Sequence, residues 1–320
     1  MPNILFPRHG SMQVWPRKRA KRIYARVRYQ AVKDAKPAGF PAYKVRMVQV
    51  LVMDNSPNSM TKNEEIIVPA TILEAPPIRI FSVRFYKKSD EDGSLKVADE
   101  VLVSDYKELN RKVNLGKAKK DLSSFKDKLS DYSDITILVH TQPKLAGVSK
   151  KKPEIVELHL GGSLEDKFKY ASEHVGKDIP VSEVLSESSF VDAHAVTKGH
   201  GFQGAIKRFG IALKSHKAQK GQRGVANLGP WEGQGHIMYR VAHAGQMGFH
   251  QRTEFNKYVL KIGSAKEFNR KEGFEHYGVL KSDVIILYGS IPGPSKRMIQ
   301  LMNASRPPKR KVSLQFLRIV

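Results

Sequence analysis

Between Ala193 and Trp231 the chain carries no Asp or Glu, while Lys198, Lys207, Arg208, Lys214, Lys217, Lys220 and Arg223 are all cationic. Nothing inside the run neutralises them. Glycines at 199, 201, 204, 210, 221, 224, 229, 233, 235, 245 and 248 interrupt every apolar stretch before it reaches the length of a packed element. Such a segment cannot bury enough apolar surface to offset its own ordering entropy. A disordered linker is the plain alternative, but Phe202, Phe209, Trp231, Tyr239 and Phe249, together with His194, His200, His216, His236, His243 and His250, are not linker composition. Glycine lets backbone approach a phosphate, Lys and Arg neutralise it, and flat side chains stack on bases. The stretch reads as an extension that orders inside folded RNA.

The rest of the charge is as unevenly placed. The chain has 320 residues, 55 Lys+Arg against 31 Asp+Glu and a net charge of +24, which implies a polyanionic partner: nucleic acid, or an anionic membrane. Residues 1–33 contribute +9, residues 193–262 another +9 and residues 284–320 a further +7. Residues 90–192 are slightly acidic, with 20 acids against 16 bases. A merely solvated basic surface would spread its charge, so the clustering favours a nucleic-acid footprint. With no cysteine, disulfides and thiolate metal sites are excluded. The start, MPNILFPRHG, lacks a signal-peptide core, and no apolar run approaches the roughly 18 residues of a membrane span. The expectation is a soluble, intracellular protein.

An apolar fraction of 40% permits a real core outside the basic segments. Residues 1–33, with Pro2, Pro7, Gly10 and Pro16 among Arg8, Arg17, Lys18, Arg19, Lys21, Arg22, Arg26 and Arg28, read as an extended arm. From Tyr43 come the strand patterns YKVRMVQVLVMD, EIIVPATILE and IRIFSVRFYKK, parted by Asn55-Ser56-Pro57-Asn58 and Pro76-Pro77. In residues 90–190 two apolar stripes, Leu122, Phe125, Leu129, Tyr132 and Leu164, Phe168, Ala171, Val175, predict helices, the second capped by Ser163 and stopped by Gly176. Between them ITILVH and EIVELHL predict strands, and Lys150-Lys151-Lys152 a loop. Strand patterns return at YVLKI, VIILYGS, MIQLM and VSLQFLRIV. Strands on both sides of a long excursion suggest one sheet closed from both ends of the chain.

Sharper motifs fail on context. Gly199-His200-Gly201-Phe202-Gln203-Gly204 spells G-x-G-x-x-G, yet AIKRFGIALKSHKAQKGQRG offers neither the clean helix nor the acid that a dinucleotide site requires. The histidines show no i, i+4 pairing for a metal, and Asp192, Glu232 and Glu254 are the only carboxylates near them. There is no G-x-S-x-G and no paired carboxylates in a glycine frame. Trp231 in Gly229-Pro230-Trp231-Glu232-Gly233 sits on a turn by composition. A buried anchor is the usual reading of a Trp. Its acid-poor surroundings argue instead for a tip that meets RNA.

Four stretches together carry a resemblance: PRHGSMQVWPRKRA at 7–20, VDAHAVTKGHGFQGAIKRFGI at 191–211, HIMYRVAHAGQMGFHQRTEFNK at 236–257 and YGSIPGPSKRMIQL at 288–301. In order and over nearly the whole chain, they resemble the family of the universal third protein of the large ribosomal subunit, in its archaeal and eukaryotic form. Ala42-Tyr43-Lys44-Val45-Arg46-Met47-Val48 departs from that family's Gly-Tyr-Lys-Ala-Gly-Met-Thr-like segment. The resemblance implies a mainly β fold with an α+β insertion: a small closed β-barrel of the translation-factor type with long basic RNA-penetrating extensions. It also implies that the arm and a Trp-bearing finger reach toward the peptidyl-transferase centre, with Trp231 at the matching place.

The expected organisation is a basic extension over 1–40, a barrel from 41–89 and 258–320, an α/β insertion at 90–190 and a central extension at 191–257. The expected RNA contacts are Arg8, His9, Arg17, Lys18, Arg19, Lys21, Arg22, Lys198, His200, Phe202, Lys207, Arg208, Lys214, His216, Lys217, Lys220, Arg223, Trp231, His236, Arg240, His243, His250 and Arg252, with Gly229, Pro230 and Trp231 at the finger tip. The expected partners are large-subunit ribosomal RNA and neighbouring ribosomal proteins, in the cytoplasmic ribosome, with no cofactor, metal, membrane or small-molecule substrate. An RNA-modifying or nucleotide-dependent enzyme with a basic tail, and an RNA chaperone acting outside the ribosome, are the alternatives.

Overall fold

The structure is a computed structural model that describes residues 8–27, 32, 34–103, 106–114, 122–310 and 312–320. Pro2, Pro7 and Arg28 of the expected arm lie outside the described residues. In chain order the strands are β1 (Gly39–Asp54), β2 (Glu65–Glu74), β3 (Arg79–Lys88), β4 (Leu95–Leu102), β5 (Asp134–His140), β6 (Ile155–His159), β7 (Phe190–Val196), β8 (Phe202–Gln203), β9 (Gly245–Gln246), β10 (Gln251–Gly263), β11 (Val284–Tyr288), β12 (Met298–Asn303) and β13 (Leu314–Ile319). The α-helices are few and short: α1 (Leu164–Glu173), α2 (Val181–Val184), α3 (Ala205–Phe209) and α4 (Ala265–Phe268). The chain divides into two compact units, one containing 1–23 and 196–251, the other 24–195 and 252–320.

The larger unit is mainly β. Its main sheet runs β12-β7-β10-β11-β2-β1-β13, and β1 also pairs with β12. β1 serves several partners because it is 16 residues long: Gly39–Tyr43 lie antiparallel to β12, Val50–Asp54 to β13, and β2 runs beside it from Tyr43 to Met53. A Cβ on Gly39 would stand 2.0 Å from the Leu301 carbonyl oxygen, so only glycine permits that approach. As a strand order this is a seven-stranded sheet, and the small closed barrel expected from the sequence goes beyond it.

A second antiparallel sheet, β4-β3-β5-β6, carries the insertion. β3, grouped by the sequence reading with β1 and β2 in residues 41–89, pairs with β4 and β5 instead. The Pro76-Pro77 break before it is where the chain changes sheets. α1 fits its expectation closely at its start: Ser163 accepts from the Asp166 N–H while Asp166 accepts from the Ser163 N–H, a reciprocal cap. The helix ends at Glu173, two residues before Val175. The Leu122–Tyr132 stripe is not an α-helix but two 3-10 turns, Leu122–Phe125 and Leu129–Asp131. Its anchors still pack: Phe125 stacks on Phe85 at 5.1 Å between ring centroids, and Tyr132 tilts against Phe85 at 4.9 Å.

One core joins both sheets of this unit, with Tyr43, Phe40, Ile72, Leu73, Ile78, Phe85, Ile137 and Ile179 fully buried. Each such side chain contributes about 1.5–3 kcal/mol of burial free energy. Polar groups in this core are paired. The Tyr43 hydroxyl donates to Thr141 at 2.9 Å. The Glu74 carboxylate accepts from the Gly147, Lys281 and Ser282 amides and from the Tyr277 hydroxyl at 2.5–3.1 Å. Burial, together with that carboxylate, pushes the Tyr277 phenol far above its ordinary value.

Candidate nucleic-acid interface

The smaller unit shows how a stretch too glycine-rich to fold by itself acquires a core: the amino arm supplies it. Ser11 caps a 3-10 turn at Met12–Val14 by accepting from the Gln13 N–H. Trp15 follows, and its ring meets Phe209 edge-on at 6.1 Å and Tyr239 at 5.2 Å. Arg17 lies over Phe209 at 4.2 Å, Arg8 over Trp15 at 5.7 Å, and Arg19 over Phe249 at 5.6 Å. Cation–π contacts of this kind contribute about 0.5–2 kcal/mol each. Gly10 is held at φ +79°, and a Cβ there would fall 2.7 Å from Phe209 Cδ1, so its glycine is required twice over.

Backbone contacts complete the docking. The Ala20 N–H donates to the Phe249 carbonyl at 2.8 Å, the His250 ring to the Lys18 carbonyl at 2.8 Å, and the Arg8 guanidinium to the Arg240 carbonyl at 2.8 Å. Within the central stretch, β8 pairs with β9, and α3 ends at Gly210 in the left-handed region. The Arg208 guanidinium donates to the Gln246 and His243 carbonyls, bracing the β9 side, and burial draws its pKa below the ordinary value. Trp15 is the residue that sequence reasoning passed over, although an aromatic ring inside an arginine-rich arm was a usable signal.

The expected contact residues separate into two groups. Arg8, Lys18, Arg19, Lys21, Arg22, Lys198, His200, Phe202, Lys207, His216, Lys217, Lys220, Arg223, Trp231, His236 and Arg240 are exposed. His9, Arg17, Arg208, Lys214 and His243 are half-buried, and His250 is buried with its ring engaged by the arm. Arg252 lies in the larger unit, half-buried near the start of β10. His194 also belongs there, its Nδ1 paired with the Thr253 hydroxyl at 2.8 Å, and burial lowers its pKa. Phe255, 60% exposed on β10, is an aromatic that sequence reasoning did not single out.

Trp231 stands at a turn. Asn227 accepts from the Gly229 N–H at 2.8 Å, Pro230 follows, and Trp231 adopts φ +71° before the 3-10 turn Glu232–Gln234. Its side chain is 61% exposed. The Gly199–Gly204 motif leads into α3, only five residues long, rather than into the helix of a dinucleotide fold. Among the described residues no three His, Asp or Glu side chains converge as a metal site, and no helix is long and apolar enough to cross a membrane.

Residues 1–318 match the family model described as Ribosomal protein L3. The chain belongs to the ribosomal protein L3 family. It is 42% identical over 310 residues to the large ribosomal subunit protein uL3 of Archaeoglobus fulgidus, covering 95% of this chain and 93% of that protein. To the uL3 of Methanocaldococcus jannaschii it is 43% identical over 316 residues, with 95% and 93% coverage, and to that of Pyrobaculum arsenaticum 41% over 317 residues, with 95% and 93%. The L3 match spans both compact units, so the basic unit and the β-rich unit alike are part of what this chain shares with its relatives.

Proposed function

We propose that this chain is a structural, non-catalytic constituent of the large ribosomal subunit that binds and organises large-subunit ribosomal RNA in the cytoplasmic ribosome and supports early assembly. The observation that carries it is the basic unit: an acid-poor, glycine-rich stretch, aromatic at its core and cationic at its surface, in a chain of the L3 family. The exposed Lys and Arg side chains neutralise phosphates, and aromatic rings contact bases. Arg17, Arg208, His243 and His250 hold the arm and the extension in register, so their contribution to RNA binding is largely one of positioning. Trp231 is the finger that reaches toward the peptidyl-transferase centre, and neighbouring large-subunit proteins are the other partners.

The organisation proposed is a basic extension over 1–40, a β domain from 41–89 and 258–320, an insertion at 90–190 and a central extension at 191–257, with β3 counted in the insertion's sheet. The finer fold is a small closed β-barrel. The pairing of β1 with β12 in addition to β2 and β13 supports it.

Co-sedimentation tests the function: the protein stays with large subunits through a high-salt wash, whereas release into the soluble fraction contradicts the proposal. Affinity for large-subunit RNA falls steeply with salt as counterions are released. Deleting residues 1–33 lowers the salt slope, and reversing the charges of Lys150, Lys151 and Lys152 changes it less. The opposite ranking would show the footprint to lie on the insertion.

A further inference from the structure

The cleft between the arm and the central stretch has a chemistry that phosphate neutralisation does not use. Its volume is about 670 Å³, within the ~300–1,000 Å³ of small-ligand clefts. Trp15, Phe209 and Tyr239 line it with Val241, and Arg17 and Arg208 bring guanidinium groups to the same walls. Trp15 and Phe209 are covered by edge-on ring contacts and by the Arg8, Arg17 and Arg208 guanidinium groups, which leaves Tyr239 as the open ring of the cleft. Tyr239 is 70% exposed.

We propose that this cleft receives one unpaired nucleobase of the bound RNA, swung out of its helix. The base lies against the exposed Tyr239 ring and the guanidinium planes of Arg17 and Arg208. The inference rests on the RNA-binding reading above and names one contact within it. A phosphate alone would engage the guanidinium groups but leave the Tyr239 ring and Val241 unmatched. An apolar side chain would leave the guanidinium planes unmatched. A base has flat apolar faces and acceptors in its plane, which is the combination that the lining offers.

The sequence has two tryptophans, so Trp231→Phe leaves Trp15 as the only indole in the full-length chain. That protein is titrated with oligoadenylate and, separately, with an abasic ribose-phosphate chain of equal length and charge. Trp15 emission and the indole N–H proton resonance are followed. Oligoadenylate is expected to quench the emission and shift the resonance saturably, while the abasic chain does neither. Adding Tyr239→Ala weakens the base-dependent response about tenfold, in line with the worth of a single base–ring stack. Lys217→Gln with Lys220→Gln weakens the oligoadenylate response through lost phosphate contacts and leaves the abasic chain silent. Equal responses to the two chains, or a response indifferent to Tyr239→Ala, overturn the proposal. Large-subunit RNA binding of the unsubstituted chain is measured in parallel: if it persists while Trp15 is blind to bases, the cleft assignment alone falls, and if it is absent the functional reading falls too.

Discussion

The His250 ring donates from Nδ1 to the Lys18 carbonyl at 2.8 Å, joining residues 232 positions apart. With the Ala20 to Phe249 bond beside it, this contact closes the arm onto the end of the central stretch. His250→Ala removes the donor of a part-buried bond, which costs about 0.5–1.5 kcal/mol. The loss is local to the smaller unit. Limited proteolysis of the free protein should cut the arm at least several-fold faster, while the melting of the β-rich unit stays where it was. Unchanged arm cleavage would mean that the bond does not hold the arm.

Glu74 gathers four donors from residues far apart in sequence, Gly147, Tyr277, Lys281 and Ser282. Glu74→Gln presents an amide N–H₂ to groups that are themselves donors and removes the charge they were arranged around. Urea unfolding should show a loss of about 2–4 kcal/mol, in the range for breaking a buried charged network. A loss below about 1 kcal/mol would place the anchoring of this segment elsewhere.

How far the sequence could be read follows from the same contacts. β2 was legible residue for residue, because EIIVPATILE is a β-branched run bounded by turn residues. β4 was not: LKVADEVL is largely exposed, so it lacks the apolar pattern of a covered strand. The Leu122–Tyr132 stripe misled for a geometric reason. The steps Leu122 to Phe125 and Leu129 to Tyr132 are three residues each, which suits a 3-10 turn as well as an α-helix. In the basic unit the exposed cations and the Trp231 turn were visible from composition. The role of Trp15 was not, since its partners Phe209 and Tyr239 come more than 190 residues later and no local periodicity links them.

The loop after β1 should be acid-sensitive. The Asp54 carboxylate accepts from the Ser59 hydroxyl at 2.5 Å, the Ser56 N–H at 2.9 Å and the Thr61 hydroxyl at 2.9 Å, and these bonds hold its pKa far below the usual carboxylate range. A depressed carboxylate pKa contributes stability that is complete above the unfolded value of about 3.9 and is lost as pH falls toward the folded one. The stability difference between the native protein and Asp54→Asn should therefore be constant at neutral pH and shrink below about pH 4. A difference independent of pH would show that the loop does not depend on the ionised form.

The two tryptophans should behave oppositely. Trp231 is 61% exposed, and the bonds that shape its turn, from the Gln234 and His236 amides to the Trp231 carbonyl, are main-chain and survive substitution. Trp231→Ala should change the stability of the free protein by no more than about 0.5 kcal/mol, as surface substitutions do, while ribosomes containing it lose peptidyl-transfer or tRNA-binding function. Trp15 touches Phe209 and Tyr239 and carries Arg8 and Arg17 over its ring. Trp15→Ala should release that cluster and raise amide exchange in the smaller unit by about tenfold or more, the effect of roughly 1.4 kcal/mol on a local opening equilibrium. Hydrogen exchange on the two variants reads both outcomes at once. Faster exchange from Trp231→Ala would make it a packing residue and end the finger reading. Unaltered exchange from Trp15→Ala would mean that the arm is held by its backbone bonds alone.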